Sequence, residues 1–593
     1  MRTATIPVED KHPVAQNLPP LYLEPPLTKP KLRIGVMLDS FNLPAWMAKI
    51  IRDLLEAPYL EVALIILNKA SSGAPPHPLR RANWPVFLYK LYYRLDRKLL
   101  QAHPHNAFAI EDVGPLLKGT DIIGVAPIQK KFVDRFEDSD IAQIKGAQLD
   151  VILRFGFRVI KGEILNCARY GVWSFHHDDN RYYRGSPPLF WEIYEGNPVS
   201  GTILQRLNEN LDAGRVLYRS ASATSFSWLH RNQNNTYWKT AEFVIRRLRK
   251  LYASSWDSIT KLDTYNEVIA YDKPIYRSPT NRQMLGFLRG QALLFLRRKI
   301  QSLSKDQWFL RVQRTASTGN AKTTIVDVIY PPSGRFYADP CVYSHDGRPF
   351  IFFEDYPYRE KRGVISCMEI DSNGNYSQPI QVLKRDYHLS YPFIFEWQSE
   401  IYMMPETSAN RTIEVYRAIK FPDKWELHTT LFSNVKAVDA TLLHYRDKFW
   451  LFANIGSERR PTTDELFLFH SQSPFGPWQP HPENPIVSDV CRARPAGRLI
   501  EQDGQLIRPS QDCSRRYGYK INFNRVDVLT ETDYRESPAG EIDPDWLRGN
   551  LATHTISQDN GVQVVDGCRR ISRLWPRSFS VRRIEGDRLR PRT

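Results

Sequence analysis

A repeated pattern of strand, polar turn and strand in the C-terminal half constrains the fold more than any other feature. Four copies are clear, and they read ADPCVYSHDGRPFIFFED, SYPFIFEWQSEIYMMPET, VDATLLHYRDKFWLFANI and PAGRLIEQDGQLIRPSQD. A weaker fifth copy, THTISQDNGVQVVDG, follows them. A pitch of roughly 50 residues in an all-β region is typical of propeller blades. The sequence therefore predicts a five-bladed β-propeller over residues 306–585, with WFLRV (308–312) as the strand that closes the ring.

The N-terminal half has a different period. The stretch KLRIGVML predicts a buried strand, AWMAKIIRDLLEA an amphipathic helix, and LEVALIILN a second strand. Alternation of this kind predicts an open, mostly parallel α/β sheet, which we place over residues 31–222. Residues 223–305 are predicted to be a helical linker, with one helix from Asn232 to Leu251 and another from Arg282 to Leu303. The proline-rich residues 1–30 are predicted to be a disordered tail, and residues 586–593 a basic tail.

Composition excludes several classes of protein. The six cysteines are scattered without a CxxC pair, so neither a disulfide framework nor a zinc site is indicated, and we predict no metal site. No apolar run approaches the roughly 20 residues that a membrane span needs, and no signal-peptide pattern is present, so we expect a cytoplasmic protein. The net charge of +16 suits phosphate-bearing partners or an anionic membrane surface, without choosing among them. The arginine-rich helix at 282–303 could lie on a membrane, although packing against a domain is commoner.

Residues 171–220 carry the chemistry of the first domain. His176 is predicted at the end of a strand, a polar loop follows it to Arg184, and a later loop holds Asp212. Ligands bind at strand ends in open α/β sheets. A histidine at such an end, with a carboxylate to orient it, is a candidate general base.

This block resembles the N10-formyltetrahydrofolate-dependent formyltransferase family, which includes methionyl-tRNA, glycinamide-ribonucleotide and sugar N-formyltransferases. The shared motifs are the histidine of an N-x-H pair (His176), an R-G step (Arg184-Gly185), a G-x-T strand (Gly201-Thr202) and an L-D-x-G loop (Leu211 to Gly214). The resemblance implies that His176 and Asp212 are catalytic, that Arg184 contacts the substrate and that N10-formyltetrahydrofolate is the cofactor. It also places Phe155, Gly156 and Phe157 against the folate.

One departure from that family concerns its asparagine, which is Ser174 here. An asparagine amide can donate to a formyl oxygen as negative charge develops on it. A serine hydroxyl donates one hydrogen bond but reaches less far. Ser174 is therefore the predicted oxyanion donor, and this position is where formyl transfer is most open to question.

The repeat also predicts a binding site in the second domain. Residues at the start of one strand and the end of the next share one end of a hairpin. The resulting pairs are Asp339/Glu354, Tyr391/Glu406, Asp439/Asn454 and Ala496/Gln511, with Asp512 adjacent and His554 at the start of the fifth copy. We predict that these residues form an acidic, polar ring around one mouth of the channel, where sugar hydroxyls could bind.

The ADP step at 338–340 resembles five-bladed glycoside hydrolases of the arabinanase and fructofuranosidase type. The motifs YMMPE, ARPAG and RPSQDCSRRYG resemble the propeller domain attached to plant glucosaminyl inositolphosphorylceramide transferases. Those hydrolases use two aspartates and one glutamate at the starts of inner strands, whereas only Asp339 and Asp439 stand there in this sequence. Carbohydrate binding is accordingly favoured over hydrolysis, and a purely structural ring is the remaining alternative.

Three functional hypotheses follow. The first is an enzyme that N-formylates a nucleotide-linked, lipid-linked or glycan-bound amino sugar. The second is a propeller-centred enzyme that cleaves or transfers a glycosyl unit, and the third is a non-catalytic glycan-binding scaffold. A methionyl-tRNA formyltransferase is disfavoured because an acidic mouth would repel phosphate, so we predict no specific nucleic-acid partner. The sequence leaves the oligomeric state open.

Overall fold

The computed structural model describes residues 20–72, 84–101, 105–130, 132–210, 214–260, 271, 273, 275–318, 321–572 and 578–584. The first part of the chain forms a seven-stranded sheet in the order β12-β11-β10-β8-β1-β3-β5. Its five strands β10, β8, β1, β3 and β5 pair in parallel, while β11 and β12 are added antiparallel at one end. The strands are β1 Leu32–Leu38, β2 Asn42–Pro44, β3 Leu60–Asn68, β4 Ile110–Asp112, β5 Asp121–Val125, β6 Ile128–Lys130, β7 Val133–Arg135, β8 Val151–Arg154, β9 Val159–Ile160, β10 Val172–His176, β11 Val199–Arg206 and β12 Arg215–Ala223.

The predicted α/β fold is therefore confirmed for the N-terminal part, which we call the α/β unit (residues 32–260). The central strand β1 is a continuous apolar run, as expected for a strand with both faces covered. Its residues Ile34 and Val36 pack in the larger of two cores, and Met37 packs in the other. The helices are α1 Ala45–Glu56, α2 Phe87–Gln101, α3 Asp138–Gly146, α4 Trp191–Glu195, α5 Leu229–Thr240, α6 Phe243–Ala253, α7 Trp256–Thr260 and α8 Asn281–Gln301.

The predicted linker at 223–305 is corrected by the structure. The single helix predicted from Asn232 to Leu251 is broken after Thr240 into α5 and α6. Its predicted apolar face is nevertheless buried, because Ala241, Val244 and Leu248 join the core that contains β1. These helices therefore belong to the α/β unit. No helix in the described residues combines the length and apolar character needed to cross a bilayer.

The predicted N-terminal tail is also wrong in part. Residues 1–19 lie outside the described residues, but the segment from Pro20 onward is packed. Tyr22 contacts Phe467 edge-on with ring centroids 5.9 Å apart, and its hydroxyl accepts hydrogen bonds from Arg246. The Asn484 amide donates to the Leu21 carbonyl at 3.1 Å. This segment thus bridges the two halves of the molecule.

The C-terminal part, which we call the β unit (residues 304–584), consists of antiparallel sheets that follow one another along the chain. Sheet 1 joins β13 Ser304–Thr318, β14 Ala321–Tyr330, β32 Ile556–Asp559, β33 Val562–Ser572 and β34 Ser580–Ile584. Sheet 2 consists of β15 Arg335–His345, β16 Arg348–Pro357, β17 Val364–Glu369 and β18 Ile380–Leu383. Sheet 3 consists of β19 Ser390–Trp397, β20 Glu400–Thr407, β21 Thr412–Lys420 and β22 Lys424–Ser433. Sheet 4 consists of β23 Lys436–Tyr445, β24 Lys448–Gly456, β25 Leu466–Ser471 and β26 Gln479–Pro480. Sheet 5 is β27 Arg494–Pro495, β28 Ile500–Gln502, β29 Gln505–Asp512, β30 Lys520–Leu529 and β31 Tyr534–Ile542.

The two ends of the β unit meet in sheet 1. The predicted closing strand WFLRV lies in β13, which pairs with β33 on one side and β14 on the other. The Ile556 N–H donates to the Ala496 carbonyl at 2.8 Å and so joins sheet 5 to sheet 1. A β-rich unit of consecutive four- and five-stranded sheets is confirmed, and its interpretation as a five-bladed propeller stays a prediction.

The two units are joined along the outer strand β12. The Ala221 N–H donates to the Ser488 carbonyl at 3.1 Å, and the Val490 N–H donates to the Ala221 carbonyl at 3.1 Å. Two buried ion pairs lie beside this bridge: the Lys239 ammonium is 2.7 Å from Asp464, and the Arg246 guanidinium is 2.6 Å from Glu465. A buried charge requires such a partner. The units therefore form an extensive polar interface.

Candidate functional site

His176 ends strand β10, where the sequence predicted it. The strand pairs in parallel with β8 and antiparallel with β11, so its end lies beside other strand ends of the sheet. The His176 ring is buried, and its Nε2 lies 3.0 Å from the Tyr183 carbonyl. A carbonyl oxygen only accepts, so Nε2 carries a proton and donates a hydrogen bond to this carbonyl. The geometry is compatible with a proton-accepting role.

Ser174 lies two residues earlier on the same strand and is also buried. Its hydroxyl oxygen accepts from the Arg154 Nε at 3.2 Å, which leaves the hydroxyl hydrogen to be donated elsewhere. Arg154 ends β8 and also donates to the Phe157 and Arg158 carbonyls. The sequence reasoning missed this arginine. Its signal is a charged residue that directly follows the apolar run VIL at a sheet edge.

Asp212 lies outside the described residues, so the hypothesis that it orients His176 stays a prediction. A different carboxylate, Asp178, has Oδ2 at 3.9 Å from His176 Nε2 and accepts from the Leu189 N–H at 2.7 Å. A second acid, Glu192, is fully buried, and its two carboxyl oxygens have no hydrogen-bond partner among the described residues. Burial raises the pKa of Glu192 to about 8, which means that it holds a proton at neutral pH. This buried acid was not predicted.

The predicted folate contacts are only partly available. The Phe155 and Gly156 N–H groups both donate to the Met37 carbonyl, and the Phe157 N–H donates to Asp39. The Phe157 side chain is buried in the core with φ at 64°, whereas Phe155 is partly buried beside Trp46. Of the three residues, Phe155 keeps the best-placed side chain for a ligand. A folate-binding role for this turn stays a prediction.

The loop after His176 is tightly held. Arg184 Nε donates to the Asn180 carbonyl at 2.9 Å, and its guanidinium lies 4.4 Å from the centre of the Tyr271 ring. Gly185 has φ at 115°, and a Cβ there would lie 2.2 Å from the Tyr276 carbonyl oxygen. Glycine is therefore required at the R-G step for steric reasons. The substrate-binding role predicted for Arg184 stays a prediction.

In the β unit, one backbone irregularity recurs at the first strand of sheets 2, 3 and 4. Asp339, Tyr391 and Asp439 have φ values of 51°, 44° and 50°. Each sits at a break in strand register, directly after Ala338, Ser390 and Val438. Non-glycine residues with positive φ are uncommon and often mark functional sites. The repeat thus presents three equivalent side chains from one strained position.

His554 links two of the buried carboxylates. Its Nε2 lies 3.0 Å from Asp339 Oδ1 and its Nδ1 lies 2.7 Å from Asp566 Oδ2. Burial alone would lower the pKa of His554, but Asp566 and Asp339 outweigh it and raise that pKa to about 10. These three residues could by spacing hold a metal ion, since their ligand atoms lie within 4.8 Å of one another. With a proton on its imidazole, His554 forms an ion-pair network with the two carboxylates.

Sheet 5 brings an arginine to the acidic residues instead of the predicted Ala496. The strand register pairs Arg494 with Gln511, as it pairs Ala338 with Glu354, so Arg494 is equivalent to the residue that precedes Asp339. Arg494 contacts Asp439 at 2.6 Å and approaches Glu406 at 3.6 Å. The Gln511 amide also donates to Asp439, at 2.8 Å. The predicted ring is therefore not purely acidic, and its central arginine was missed.

Two of the carboxyl groups have raised pKa values. Burial raises the pKa of Asp439 to about 7, although Arg494 opposes this shift. Burial, reinforced by Asp339, raises the pKa of Glu354 well above its ordinary value. His388 Nε2 lies 3.4 Å from Glu354, and its Nδ1 accepts from the Gly363 N–H. The raised pKa of Glu354 favours its protonated form, whereas both carboxyl oxygens of Asp439 accept hydrogen bonds from Arg494.

The remaining predicted residues fall into two groups. One group is buried at the same ends of the strands as Asp339 and Asp439, and it includes Glu406, Asn454 and Gln511. We define the acidic cluster as Asp339, Glu354, Glu406, Asp439 and Asp566. Asp512, by contrast, accepts from the Ser514 N–H at 2.8 Å, as an aspartate does in a turn. Beside the cluster is a cavity of about 20 Å³ lined by Asp339, Tyr391, Phe393, Gly497, Arg498 and Ile556. The Arg498 guanidinium lies 4.6 Å from the centre of the Phe393 ring and narrows the space.

Comparison with known proteins divides the chain in the same way. Residues 321–543 match the family model described as "Glucosamine inositolphosphorylceramide transferase 1, N-terminal". Glucosamine inositolphosphorylceramide transferase 1 of Oryza sativa subsp. japonica is 38% identical over 216 residues, which are 35% of this chain and 28% of that protein. The Arabidopsis thaliana protein of the same name is 35% identical over 209 residues, 34% of this chain and 27% of its own. The chain thus spans less than a third of these relatives.

The α/β unit has a shorter match. Methionyl-tRNA formyltransferase of Prochlorococcus marinus is 33% identical over 84 residues, 14% of this chain and 24% of that enzyme. Among solved structures, glycinamide ribonucleotide transformylase 1 from Symbiobacterium toebii aligns with a TM-score of 0.25 and 12% identity, over 37% of this chain and 88% of its own. The family 117 glycoside hydrolase Zg3597 of Zobellia galactanivorans aligns with a TM-score of 0.30 and 11% identity, over 45% and 91%. Scores this low carry no functional argument, but the sequence matches associate the chain with two groups of transferases.

Proposed function

We propose that the chain is an enzyme that transfers a formyl group to the amino group of an amino sugar, with the β unit binding the saccharide as a five-bladed propeller. The observation that carries this proposal is the set of buried polar atoms in and beside the acidic cluster that have no hydrogen-bond partner. Among the described residues they are Oδ1 and Nδ2 of Asn454, whereas Asp339 Oδ1 is paired with His554 at 3.0 Å and Glu406 Oε2 lies 3.6 Å from Arg494. Leaving such atoms unsatisfied costs about 1–3 kcal/mol each. A ligand with several hydroxyl groups and a cationic amine would satisfy them.

The charge of the cluster also favours an amino sugar. It contains five carboxyl groups, while Arg494 and His554 are the cations in contact with them. A protonated amine is attracted to such a site, and the raised pKa of Glu354 favours a protonated form that can donate to a sugar oxygen. The relatives that match residues 321–543 are named for glucosamine, which agrees with this class of substrate.

The α/β unit supports acyl transfer through His176 and Ser174. An attacking amine must lose a proton, and His176, at the end of β10, is the residue to which we assign this step. The donors at the strand ends fit a formyl oxygen, since the Ser174 hydroxyl can donate to it and the Arg154 guanidinium lies beside that hydroxyl. N10-formyltetrahydrofolate, when bound, would supply the formyl group, and Ser174, Arg154 and Phe155 are the residues that would hold it.

The test is formyl transfer by the full chain from labelled N10-formyltetrahydrofolate to free, nucleotide-linked and lipid-linked amino sugars. We expect labelled N-formyl product, a loss of about 10²–10⁴-fold in rate for His176→Gln, and retained sugar binding in that variant. Arg459→Gln, at an exposed position outside the site, is the matched control. Equal rates for His176→Gln and the wild-type protein would refute the role of His176.

A second candidate function is glycosyl transfer or hydrolysis in the β unit. It is favoured by the raised pKa values of Glu354 and Asp439, because a protonated buried acid is what a leaving sugar oxygen needs. Two observations stand against hydrolysis. Asp439 accepts hydrogen bonds from Arg494 and Gln511. Its carboxyl group also lies within hydrogen-bond distance of that of Glu406, whereas the two carboxyl groups of a glycoside hydrolase are about 5–10 Å apart. Release of sugar from a panel of glycosides, abolished in Glu354→Gln, would support it. Saccharide binding without formyl transfer or cleavage would support the non-catalytic scaffold instead.

A further inference from the structure

The helices α2 and α8 pack together and leave large apolar side chains in solvent. Their contact is formed by Tyr92, Met284 and Phe287, and the Leu88 N–H donates to Asn281 at 2.9 Å. Apart from Met284 and Phe287, α8 has no buried residue. It therefore lies along the surface of the molecule with its C-terminal two thirds largely exposed.

The exposed apolar residues of α2 recur at every fourth position. Phe87, Leu91, Leu95 and Leu99 are 43%, 44%, 56% and 61% exposed. Residues four apart lie on one face of a helix, so these four form a continuous stripe. The opposite face of the same helix is already buried through Tyr89 and its neighbours. The stripe is thus additional to what the fold of this helix requires.

Helix α8, which contacts α2, also carries exposed apolar side chains. With Trp84 before α2 and Leu303 after α8, twelve large apolar side chains of these two segments are exposed, more than in any comparable stretch of the described residues. We call this the apolar face, and it consists of Trp84, Phe87, Leu91, Leu95, Leu99, Leu285, Leu288, Leu293, Phe295, Leu296, Ile300 and Leu303.

The charged residues of the two helices have one sign. The exposed ones are all basic, namely Lys90, Arg94, Arg97, Lys98, Arg282, Arg289, Arg297, Arg298 and Lys299. The single acidic residue, Asp96, is buried and lies 2.8 Å from His230. A second copy of the chain on this face would bring like charges together. Negatively charged lipid headgroups, in contrast, would be attracted to it.

We propose that the apolar face docks into the headgroup layer of an anionic lipid bilayer. Helices that combine exposed apolar residues with lysine and arginine bind membranes in this way, lying in the interface without crossing it. Each basic residue near an anionic surface contributes about 1 kcal/mol. The apolar face supplies the insertion and the basic residues supply the preference for anionic lipid.

The position of α8 in the chain connects this surface to both candidate sites. Shortly before α8, Tyr276 forms a backbone bridge to Gly185 in the loop after His176. Shortly after it, β13 begins at Ser304 and carries Trp308, whose ring lies 4.2 Å from that of His554. If the proposed function is correct, a bound membrane surface would favour the lipid-linked form of the amino sugar. Membrane binding itself does not depend on that function.

The test is flotation of the full chain with two kinds of vesicle. One kind is phosphatidylcholine alone, and in the other about one third of the lipid is phosphatidylglycerol. We expect binding to the anionic vesicles that weakens at about 0.5 M salt, because salt screens the attraction. The apolar variant is Leu95→Gln, Phe295→Gln and Leu296→Gln, and the charge variant is Arg94→Gln, Arg97→Gln and Arg297→Gln. The matched control changes three equally exposed residues of the β unit, Ile380→Gln, Ile419→Gln and Leu427→Gln.

The charge variant is expected to lose about fivefold in affinity per residue, or roughly 100-fold in all. The apolar variant is expected to lose binding to both kinds of vesicle, and the control is expected to bind as the wild-type protein does. Circular dichroism must show the same helix content in all four proteins. Undiminished binding by the apolar variant would overturn the proposal. An absence of binding by the wild-type protein would also overturn it. In that case a change from dimer to monomer in the apolar variant would assign the apolar face to contact between two copies of the chain.

Discussion

Replacing Glu465 by glutamine tests how the two units are held together. Glu465 lies in the β unit, in the segment between strands β24 and β25, and its side chain is 2% exposed. It accepts two hydrogen bonds from the Arg246 guanidinium of α6. Burial would raise the pKa of Glu465, but Arg246 and Arg460 outweigh it and lower that pKa to about 2. The variant keeps the shape of the side chain and removes its charge, which leaves Arg246 buried without its counter-ion.

The magnitude follows from the pKa shift. The ordinary value is 4.5, so the folded protein lowers the pKa by about 2.5 units, and at about 1.4 kcal/mol per unit the ionised form is stabilised by about 3 kcal/mol. Breaking a buried pair costs a similar 3–5 kcal/mol. Since the folded-state pKa is lowered, this contribution is complete above about pH 5 and is lost as the pH falls through 4.5 towards 2.

The assay is urea unfolding at pH 7 and at pH 3, followed by tryptophan fluorescence and circular dichroism. At pH 7 we expect Glu465→Gln to lower the free energy of unfolding by about 3 kcal/mol, and at pH 3 most of the difference should vanish. Glu426→Gln, which removes an exposed partner of Arg417, is the control and should cost less than about 1 kcal/mol. Equal stability of the Glu465 variant and the wild-type protein at pH 7, or a difference that persists unchanged at pH 3, would refute the reasoning.

Two further predictions concern single positions. Gly497 has φ at 135°, and a Cβ there would lie 2.0 Å from the Ile556 carbonyl oxygen. Gly497→Ala is therefore expected to lower the melting temperature by several degrees in a thermal scan. Gly504→Ala is the control, and it should lower the melting temperature less because the space around its Cβ is open. Burial, reinforced by His176, lowers the pKa of His177 to about 3, so the unfolded chain binds a proton there below about pH 6.5 and the folded protein does not. Stability should therefore fall by about 2 kcal/mol between pH 7 and pH 5, and His177→Phe should reduce that fall in urea unfolding at the two pH values; an unchanged pH dependence would contradict this.

The sequence predicts those parts of the fold that depend on periodicity. The alternating α and β patterns locate the parallel strands, and the repeat locates the hairpins of the β unit, because burial of alternate or every third or fourth residue is a local property. The break between α5 and α6 was missed because it lies inside one continuous apolar face, where Ala241 and Val244 are both buried. The two helices pack on different partners, α5 on β11 and α6 on β12 and α1, and the sequence pattern does not record this difference.

The candidate sites were predictable only where the chain repeats or resembles a known motif. Asp339, Tyr391 and Asp439 occupy equivalent positions because the repeat keeps them in register. Arg494 was missed because the register in sheet 5 differs from that of the other copies. Glu192 was missed because nothing local distinguishes a glutamate on a short helix that is buried against a distant loop.

The contact of β12 with residues 488–490 covers an edge of the seven-stranded sheet. An outermost strand exposes a row of unpaired amide and carbonyl groups, onto which another polypeptide can add. Here the Ser488 carbonyl and the Val490 N–H occupy that margin at Ala221. Producing the α/β unit without the β unit would therefore uncover a ready template for intermolecular pairing, and the α/β unit alone would be prone to aggregate.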